Sequence, residues 1–419
     1  MTVHLSTPHS ESPLAESPLG PKSTPKAING TPDGVWDFAS QDTQYATHGL
    51  HTYVAAMIPA LARTLIDEYV PKKGSVLDPF CGGGAVLVEA IRSGREAVGR
   101  DINDLAVLVS KAKTTHVRAD EIQTGGARVL ARAKEYDGPS LRFPKSDFVE
   151  FWFKDYMLMP LTALRFAIEE LRDPDLRTLF QALFSATVRS VSLTHRNEVR
   201  LRRMTPVQQE YFNPDVFEVF RKYVTLAEER VPALPTGAKA SVNKGDTQRL
   251  DLSNEEVDVI LCSPPYGDER NGVNYTQFAK NMLYWLGYNR QSIQASKGHS
   301  LGWGKRERAV PPSRTLLDSL EIVSANPASE REAIAFYSDY YKALQELARV
   351  ARSRIIIVIG NRVLNKQVLN NGQITVELMD AIGVPLEKCH FRKLPTKRLP
   401  KMRDFGAAID QETILVFKK

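Results

Sequence analysis

Cysteine is scarce in this sequence, and its few copies lie far apart. The three are Cys81, Cys262 and Cys389, and no pair has C-x-x-C spacing. Because zinc sites and disulfide frameworks are recognised by closely spaced cysteines, the sequence predicts neither, and no bound metal is expected. We expect the thiols to be reduced, as they are in the cytosol.

Long apolar segments are also missing. No apolar run reaches the roughly 20 residues that a membrane-spanning helix needs. The first 26 residues lack the basic start and apolar centre of a secretory signal. We therefore expect a cytoplasmic protein with no membrane partner. The net charge of +6 is modest, and it allows a polyanionic partner only where the charge is clustered.

Composition divides the chain into three parts. Residues 1–34 are rich in Ser, Pro, Thr and Gly, which predicts a disordered tail, the alternative being an arm that orders on binding. Residues 35–118 and 236–419 carry the strand and helix patterns of one catalytic domain. Residues 119–235 are predicted to be mainly helical, and an insertion of this length in a sheet usually makes a substrate-facing lobe.

The stretch "GSVLDPFCGGGAVLVEAIRSGREAVGRDIN", residues 74–103, predicts a strand, a glycine loop, a helix and a second strand. This order indicates an α/β fold with a doubly wound, mostly parallel sheet. Residues 386–394 and 412–419 predict a C-terminal antiparallel hairpin. Apolar spacing predicts a helix over residues 51–70, whereas residues 288–332 look polar and irregular up to a helix that begins near Glu330.

The glycine loop predicts a ligand-binding turn. Asp78 precedes the glycines at 82–84, and Asp101 ends the next strand, where a carboxylate can accept hydrogen bonds from both ribose hydroxyls. The fingerprints G-x-G-x-x-G and Gly-Lys-Ser/Thr are both absent, which argues against a dinucleotide or a nucleoside triphosphate. Asp78 would repel a pyrophosphate but attract the ammonium of S-adenosylmethionine, so charge favours that cofactor. The alternative is a turn that only packs a helix.

A third acid follows the next predicted strand. Asp246 lies in "NKGDT", where its carboxylate could accept a hydrogen bond from the adenine amine. Taken alone this signal is weak, because Gly-Asp after a strand is more often a turn.

The stretch "VDVILCSPPYGDE", residues 257–269, ends a buried strand with a rigid corner. The two prolines fix φ, so the Ser263 hydroxyl and a backbone carbonyl can both accept hydrogen bonds from one amino group. Tyr266 offers a flat face on which a base can stack. The corner is therefore predicted to receive a planar ring with an exocyclic amine. A plain turn with a packing tyrosine is the alternative.

The motifs "DPFCGGG", "GRDIN", "GD" and "SPPYGD" resemble those of amino-methyltransferases that act on DNA bases. "SPPY" resembles the cytosine-N4 branch found in restriction–modification systems, whereas adenine-N6 enzymes more often begin this motif with Asp or Asn. One departure is Gly-Gly-Gly-Ala in the loop, where many relatives have Gly-Ser-Gly-Thr. That change removes a polar side chain and keeps the backbone donors.

The resemblance implies a Rossmann-like class I methyltransferase that uses S-adenosylmethionine and flips its target base out of double-stranded DNA. The segment before the first strand, with His48, His51 and Tyr53, would close over the cofactor. The implied cofactor-binding residues are Asp78, Pro79, Phe80, Cys81, Gly82, Gly84, Asp101, Ile102, Asp246 and His51. The implied catalytic residues, which would hold the flipped cytosine, are Ser263, Pro264, Pro265 and Tyr266.

Three basic segments are candidates for phosphate contacts: residues 195–203, 303–308 and 391–404. A solvated surface is the alternative for the first. The resemblance also allows for a cognate restriction endonuclease that acts on the same site without direct contact.

Several other functions compete with cytosine-N4 methylation. Serine at the first motif position does not physically exclude adenine-N6 methylation. Guanine-N2 methylation of RNA uses a similar loop and corner. A non-catalytic binding subunit is disfavoured by the intact acids and the complete corner. A cysteine nucleophile at Cys262 is disfavoured because this residue precedes Ser-Pro-Pro and is expected to point into the sheet.

Overall fold

The computed structural model describes residues 27–32, 34–195, 201–268, 273–304, 308–394 and 410–419. Across these ranges no helix combines the length and the apolar character needed to cross a membrane. The predicted N-terminal tail lies mostly outside the described residues. Its described part contacts the domain, since the Ile28 backbone N–H donates to Gln373 Oε1 at 2.8 Å.

The described residues form a seven-stranded sheet and a separate two-stranded sheet. The order of the large sheet is β3-β2-β1-β4-β5-β9-β8, and β6 pairs with β7. The strands are β1 Ser75–Asp78, β2 Glu96–Asp101, β3 Ala240–Lys244, β4 Val257–Cys262, β5 Ala351–Gly360, β6 Arg362–Leu364, β7 Gln367–Leu369, β8 Leu386–Lys393 and β9 Gln411–Lys418.

Helices cover both faces of the large sheet and fill the insertion. The α-helices are α1 Pro59–Tyr69, α2 Ala85–Arg92, α3 Asp104–Thr114, α4 Ala119–Lys134, α5 Asp155–Glu169, α6 Pro174–Val191, α7 Pro206–Tyr211, α8 Val216–Arg230, α9 Tyr275–Trp285, α10 Arg290–Gly298, α11 Arg314–Val323, α12 Pro327–Val350 and α13 Asn371–Ile382. Short 3₁₀ helices occupy Ala46–Leu50, Lys145–Asp147 and Glu150–Trp152.

The strand directions confirm the predicted doubly wound sheet. Strands β1 to β5 are parallel, whereas β9 is antiparallel to both β5 and β8. The chain runs outward from β1 to β3 on one side and from β4 to β5 on the other. The order therefore reverses between β1 and β4, and ligands of such sheets bind at the carboxyl ends beside this reversal.

Local signals explain the ends of the elements nearest the reversal. Gly84 precedes α2 with φ of 78°, a left-handed conformation that glycine adopts without strain. Asn103 caps α3 through its side chain, which accepts from the Leu105 backbone N–H. Pro59 occupies the first turn of α1, so the helix predicted over residues 51–70 begins later than expected.

Two regions differ from the sequence prediction. The stretch 288–332 was expected to be irregular, but it contains α10 and α11, which are short and are capped by Asn289 and Ser313. The polar composition hid these helices, because each buries a narrow apolar face against the domain. The predicted helix near Glu330 begins at Pro327 instead.

The insertion shares a hydrophobic core with the catalytic domain. Phe180 of α6 and Phe220 of α8 lie in the same cluster as Leu105 of α3 and Trp285 of α9. The other two clusters lie against the two faces of the sheet. The insertion is therefore held to the domain by apolar packing on the helices that flank the reversal.

We predict that Phe180→Ala destabilises the whole chain. Phe180 is fully buried, and removal of its ring leaves a cavity that costs about 3–5 kcal/mol. Because the core is shared, denaturant unfolding followed by circular dichroism and tryptophan fluorescence should show one coincident transition at a lower midpoint. Phe166→Ala, on the exposed face of α5, is the matched control and should cost less than about 1 kcal/mol. An early, separate transition of helices alone would contradict the shared core.

Candidate active site

A cavity opens at the carboxyl ends of β1 to β4. It brings together most residues that the sequence predicted for the cofactor and part of the predicted catalytic corner. The predicted residues in its wall are Asp78, Pro79, Phe80, Cys81, Gly82, Asp101, Ile102, Asp246, Ser263 and Pro265.

The glycine loop is shaped by close contact with Tyr53. Gly82 has φ of 48°, and a Cβ on Gly83 would lie 2.8 Å from Tyr53 Cβ. Side chains in this loop would push Tyr53 away from the cavity. Ser110 fixes the loop from behind, since its hydroxyl donates to Gly82 O at 2.7 Å. The glycines thus allow the segment before β1 to lie directly on the loop.

Asp78 ends β1 as a buried carboxylate. Its Oδ1 accepts from the Phe80 backbone N–H at 3.1 Å. Burial, with a smaller contribution from the nearby Asp101 carboxylate, raises the pKa of Asp78 to about 8 despite the Phe80 hydrogen bond. An ionised Asp78 is therefore unfavourable until a positive charge lies beside it.

Asp101 ends β2, Asp246 lies two residues after β3, and both line the same cavity. Asp101 Oδ2 accepts from the Gly82 N–H at 2.9 Å, and Oδ1 accepts from the Asn103 N–H at 2.8 Å. Burial raises the pKa of Asp101 to about 6 despite these bonds. Asp246 is half-buried, and its Oδ2 lies 3.3 Å from His299 Nδ1.

The chemistry of the cavity wall fits a cationic, nucleoside-like ligand. The wall contains the carboxylates of Asp78, Asp101, Asp104 and Asp246. Lys244 Nζ lies 2.8 Å from Asp104 Oδ2 and offsets the charge of that carboxylate, and Asp78, Asp101 and Asp246 line the same cavity. S-adenosylmethionine carries a sulfonium and an ammonium group, and its hydroxyls and adenine amine are hydrogen-bond donors. The acidic wall is therefore suited to it, whereas a pyrophosphate would be repelled.

The Ser-Pro-Pro-Tyr corner follows β4 on the other side of the reversal. Ser263 and Pro265 line the cavity, whereas Pro264 is buried. The corner is fixed by α13, because Asn371 Nδ2 donates to Tyr266 O at 3.1 Å and to Gly360 O at 2.9 Å. Because the backbone is held in this way, the position of Ser263 in the cavity wall is fixed.

Tyr266 lies behind Ser263 and is not among the described residues that line the cavity. Its hydroxyl donates to Glu412 Oε1 at 2.7 Å and lies 3.3 Å from Ser263 Oγ. Burial, with the Glu412 carboxylate second, raises the pKa of Tyr266 well above its ordinary value. The hydroxyl therefore keeps its proton, and base stacking on Tyr266 stays a prediction.

Three residues implied for the cofactor region lie away from the cavity wall. His51 is buried with Nε2 2.8 Å from Ser185 Oγ, and burial lowers its pKa to about 3. His48 contacts Glu89 at 2.8 Å. Gly84 packs on Ser110. Their positions support the segment and the loop from behind.

Sequence reasoning missed much of the opposite wall. Helix α10 and the residues after it contribute Ile293, Ser296, Lys297, His299, Ser300 and Leu301. Nothing local marked these residues, since they lie in the stretch read as irregular. A further missed residue is Lys113, which is buried behind the glycine loop and donates to His51 O at 2.7 Å.

Each of the three predicted basic segments lies partly on residues that the structure does not describe. Within the segments these residues are 196–200, 305–307 and 395–404. In the described part of the first segment, Arg203 lies with its guanidinium 4.1 Å from the centroid of the exposed Phe151 ring. The phosphate contacts of all three segments stay predictions.

Several known proteins are similar to this chain in sequence. The sequence model of the DNA methylase family matches residues 14–112. The type II methyltransferase M.MvaI of Kocuria varians is 30% identical over 426 residues, which cover 91% of this chain and 93% of that protein. A tRNA (guanine(10)-N2)-dimethyltransferase of Methanothermobacter thermautotrophicus is 44% identical over 52 residues, which cover 12% of this chain and 16% of that protein.

Solved structures give a weaker match. A SAM-dependent methyltransferase from Methanosarcina mazei is 9% identical, covers 85% of this chain and 96% of its own, and superposes with a TM-score of 0.32. A score this low carries no further conclusion. The similarity to the type II enzyme, by contrast, extends over nearly the whole of both chains. The chain therefore belongs to the type II DNA methyltransferases of restriction–modification systems, which take their methyl group from S-adenosylmethionine.

Proposed function

We propose that the chain methylates the exocyclic N4 amine of a cytosine flipped out of double-stranded DNA, at a specific sequence. The observation that carries the proposal is the position of Ser263, which lines the same cavity as Asp78, Asp101 and Asp246. Serine at this position resembles the cytosine-N4 branch. Adenine-N6 methylation is the second candidate, because the matching family takes in both amines.

The proposed cofactor site is the acidic half of the cavity. Asp78 would lie beside the cationic methionine portion, Asp101 would accept from the ribose hydroxyls and Asp246 from the adenine amine. Pro79, Phe80, Cys81, Gly82 and Ile102 complete this wall. When bound, S-adenosylmethionine supplies an electrophilic methyl group on a positively charged sulfur.

The corner would prepare the target amine for attack. In cytosine the amine lone pair is delocalised into the ring, so the nitrogen is a poor nucleophile. Hydrogen bonds from the amine to Ser263 Oγ and to the Pro264 carbonyl would favour a pyramidal nitrogen with a free lone pair. Positioning and local electrostatics then carry the reaction, and no covalent enzyme intermediate is required. Tyr266 is proposed to stack on the flipped base.

We predict that DNA from a host expressing the chain contains N4-methylcytosine, measured by mass spectrometry of its nucleosides. Ser263→Ala should lower methyl transfer by about a hundredfold or more, because an amine acceptor is lost, while calorimetric binding of S-adenosylmethionine stays unchanged. Ser253→Ala, an exposed serine before β4, is the matched control.

Each product identifies a different reaction. N6-methyladenine would replace the cytosine proposal by the adenine one. A methylated RNA base without a DNA product would overturn both.

We predict that Asp78→Asn removes a pH-dependent part of both stability and cofactor binding. The folded-state pKa of about 8 lies above the ordinary 3.8, so the folded chain holds a proton that the unfolded chain releases. Through Asp78, the free energy of unfolding therefore falls as the pH rises from 4 to 8. The Asp78→Asn variant should lack this part of the pH dependence. S-adenosylmethionine favours the ionised form, so its affinity should rise more steeply towards pH 8 in the wild type than in Asp78→Asn, where Asp101 still titrates.

Calorimetry and thermal unfolding at pH 5 and at pH 8 separate the two effects. At pH 8 the Asp78→Asn variant should bind at least about tenfold more weakly. Glu96→Gln, which changes an exposed acid at the start of β2, should behave as wild type. Equal affinity of wild type and Asp78→Asn at pH 8 would remove Asp78 from the proposed site.

We predict that Cys262→Ala keeps its methyltransferase activity. Cys262 is fully buried in the core beside the sheet, and burial raises the pKa of its thiol well above the ordinary value. A protonated, inaccessible thiol is not a nucleophile. Steady-state methyl transfer should stay within about threefold of wild type, and a loss beyond about a hundredfold would restore the cysteine mechanism.

A further inference from the structure

A chain of hydrogen-bonding groups leads from the cavity wall into the C-terminal hairpin. Ser263 Oγ lies 3.3 Å from the Tyr266 hydroxyl, and that hydroxyl lies 2.7 Å from Glu412 Oε1. Glu412 stands near the start of β9, between Gly360 of β5 and Arg392 of β8. It has no place in the methyl-transfer chemistry described so far.

Arg392 fixes the Glu412 end of this series of hydrogen bonds. Its Nη1 donates to Glu412 Oε2 at 2.7 Å, and its Nε donates to Trp36 O at 3.0 Å. Arg392 is 2% exposed, so its guanidinium is held in one orientation. A guanidinium has donors and no acceptor, which makes the facing oxygen of residue 412 an obligatory acceptor.

Because Arg392 can only donate, it determines which group is the donor and which the acceptor in each of these hydrogen bonds. The Glu412 carboxylate accepts from both neighbours, so the single Tyr266 proton points at Glu412. The Tyr266 oxygen can then only accept from Ser263. The Ser263 proton is thereby turned away from the cavity, and its lone pairs face the space where an amine would lie.

We propose that Glu412 is a positioning residue that sets the hydrogen-bond direction of Ser263 and makes it an acceptor for the target amine. This inference rests on the proposed function of Ser263. A serine hydroxyl can donate or accept, so an amine, itself a donor, is received well only when the hydroxyl proton is engaged elsewhere. Glu412 does not touch the substrate and acts through Tyr266.

The test uses Glu412→Gln in the full-length chain. The amide must offer its oxygen to Arg392, so its NH₂ group faces Tyr266 and donates to it. Tyr266 then donates to Ser263, whose own proton turns towards the cavity. We expect kcat for DNA methylation to fall by about 10- to 100-fold, with KM for DNA and for S-adenosylmethionine within about twofold of wild type.

A double-mutant cycle with Tyr266→Phe separates positioning from general stability. Tyr266→Phe alone should lower kcat by about 3- to 30-fold, because the Ser263 proton loses its acceptor. In that background Glu412→Gln should have little further effect on kcat, since its influence passes through the missing hydroxyl. Multiplicative losses would overturn the proposal, as would full kcat in either single variant.

Glu387→Gln provides the matched control on the same hairpin. Glu387 pairs with Arg354 at 2.8 Å, which repeats the Glu–Arg chemistry away from the cavity, and its loss should leave kcat unchanged. Equal kcat losses in Glu387→Gln and Glu412→Gln would overturn the proposal. If Glu412→Gln fails to fold, the kcat of Tyr266→Phe still decides. Full activity of Ser263→Ala would instead contradict the proposed function itself.

Discussion

The pairing of β1 with β4 is the constraint on which the rest of the site depends. Their parallel register places Leu77 opposite Ile260, so the residues that follow each strand emerge at the same edge of the sheet. Asp78 and Ser263 are distant in sequence and become neighbours only through this pairing. Because the strand order reverses here, the loops diverge on either side of the two strands. The crevice between them gives room for the proposed cofactor and the target base.

That crevice is electrostatically unfavourable without its ligand. Asp78 is buried and Asp101 is partly buried near it, and removal from water raises the pKa of both carboxyl groups. Backbone N–H donors from the glycine loop and from Asn103 stabilise Asp101 in part. The remaining electrostatic cost is offset when a cation enters the cavity. The acids therefore favour binding of a positively charged cofactor and lower the stability of the folded chain without it.

Local sequence signals predicted the sheet, the glycine loop and the corner because each depends on neighbouring residues. Gly82, for example, has the positive φ that the run of three glycines predicts. His51 lies outside the cavity wall, and its Nε2 contacts Ser185 of the insertion, a partner that is far away in sequence and that no local pattern could indicate. The wall formed by α10 was missed for a different reason: within this helix Ile293 is the buried residue, so its sequence carries almost no apolar pattern.

Glu412 is the clearest case of chemistry that no local pattern encodes. A motif that begins with aspartate presents oxygens that can only accept, and its direction towards an amine needs no outside help. A serine hydroxyl has no such fixed direction, so a corner that begins with Ser263 leaves its hydrogen-bond polarity to the surrounding fold. In this chain the C-terminal hairpin supplies that polarity, through a carboxylate held by the buried Arg392. The hairpin then contributes to the positioning of Ser263 as well as forming the edge of the sheet. Ser263 and Glu412 are expected to function as one unit.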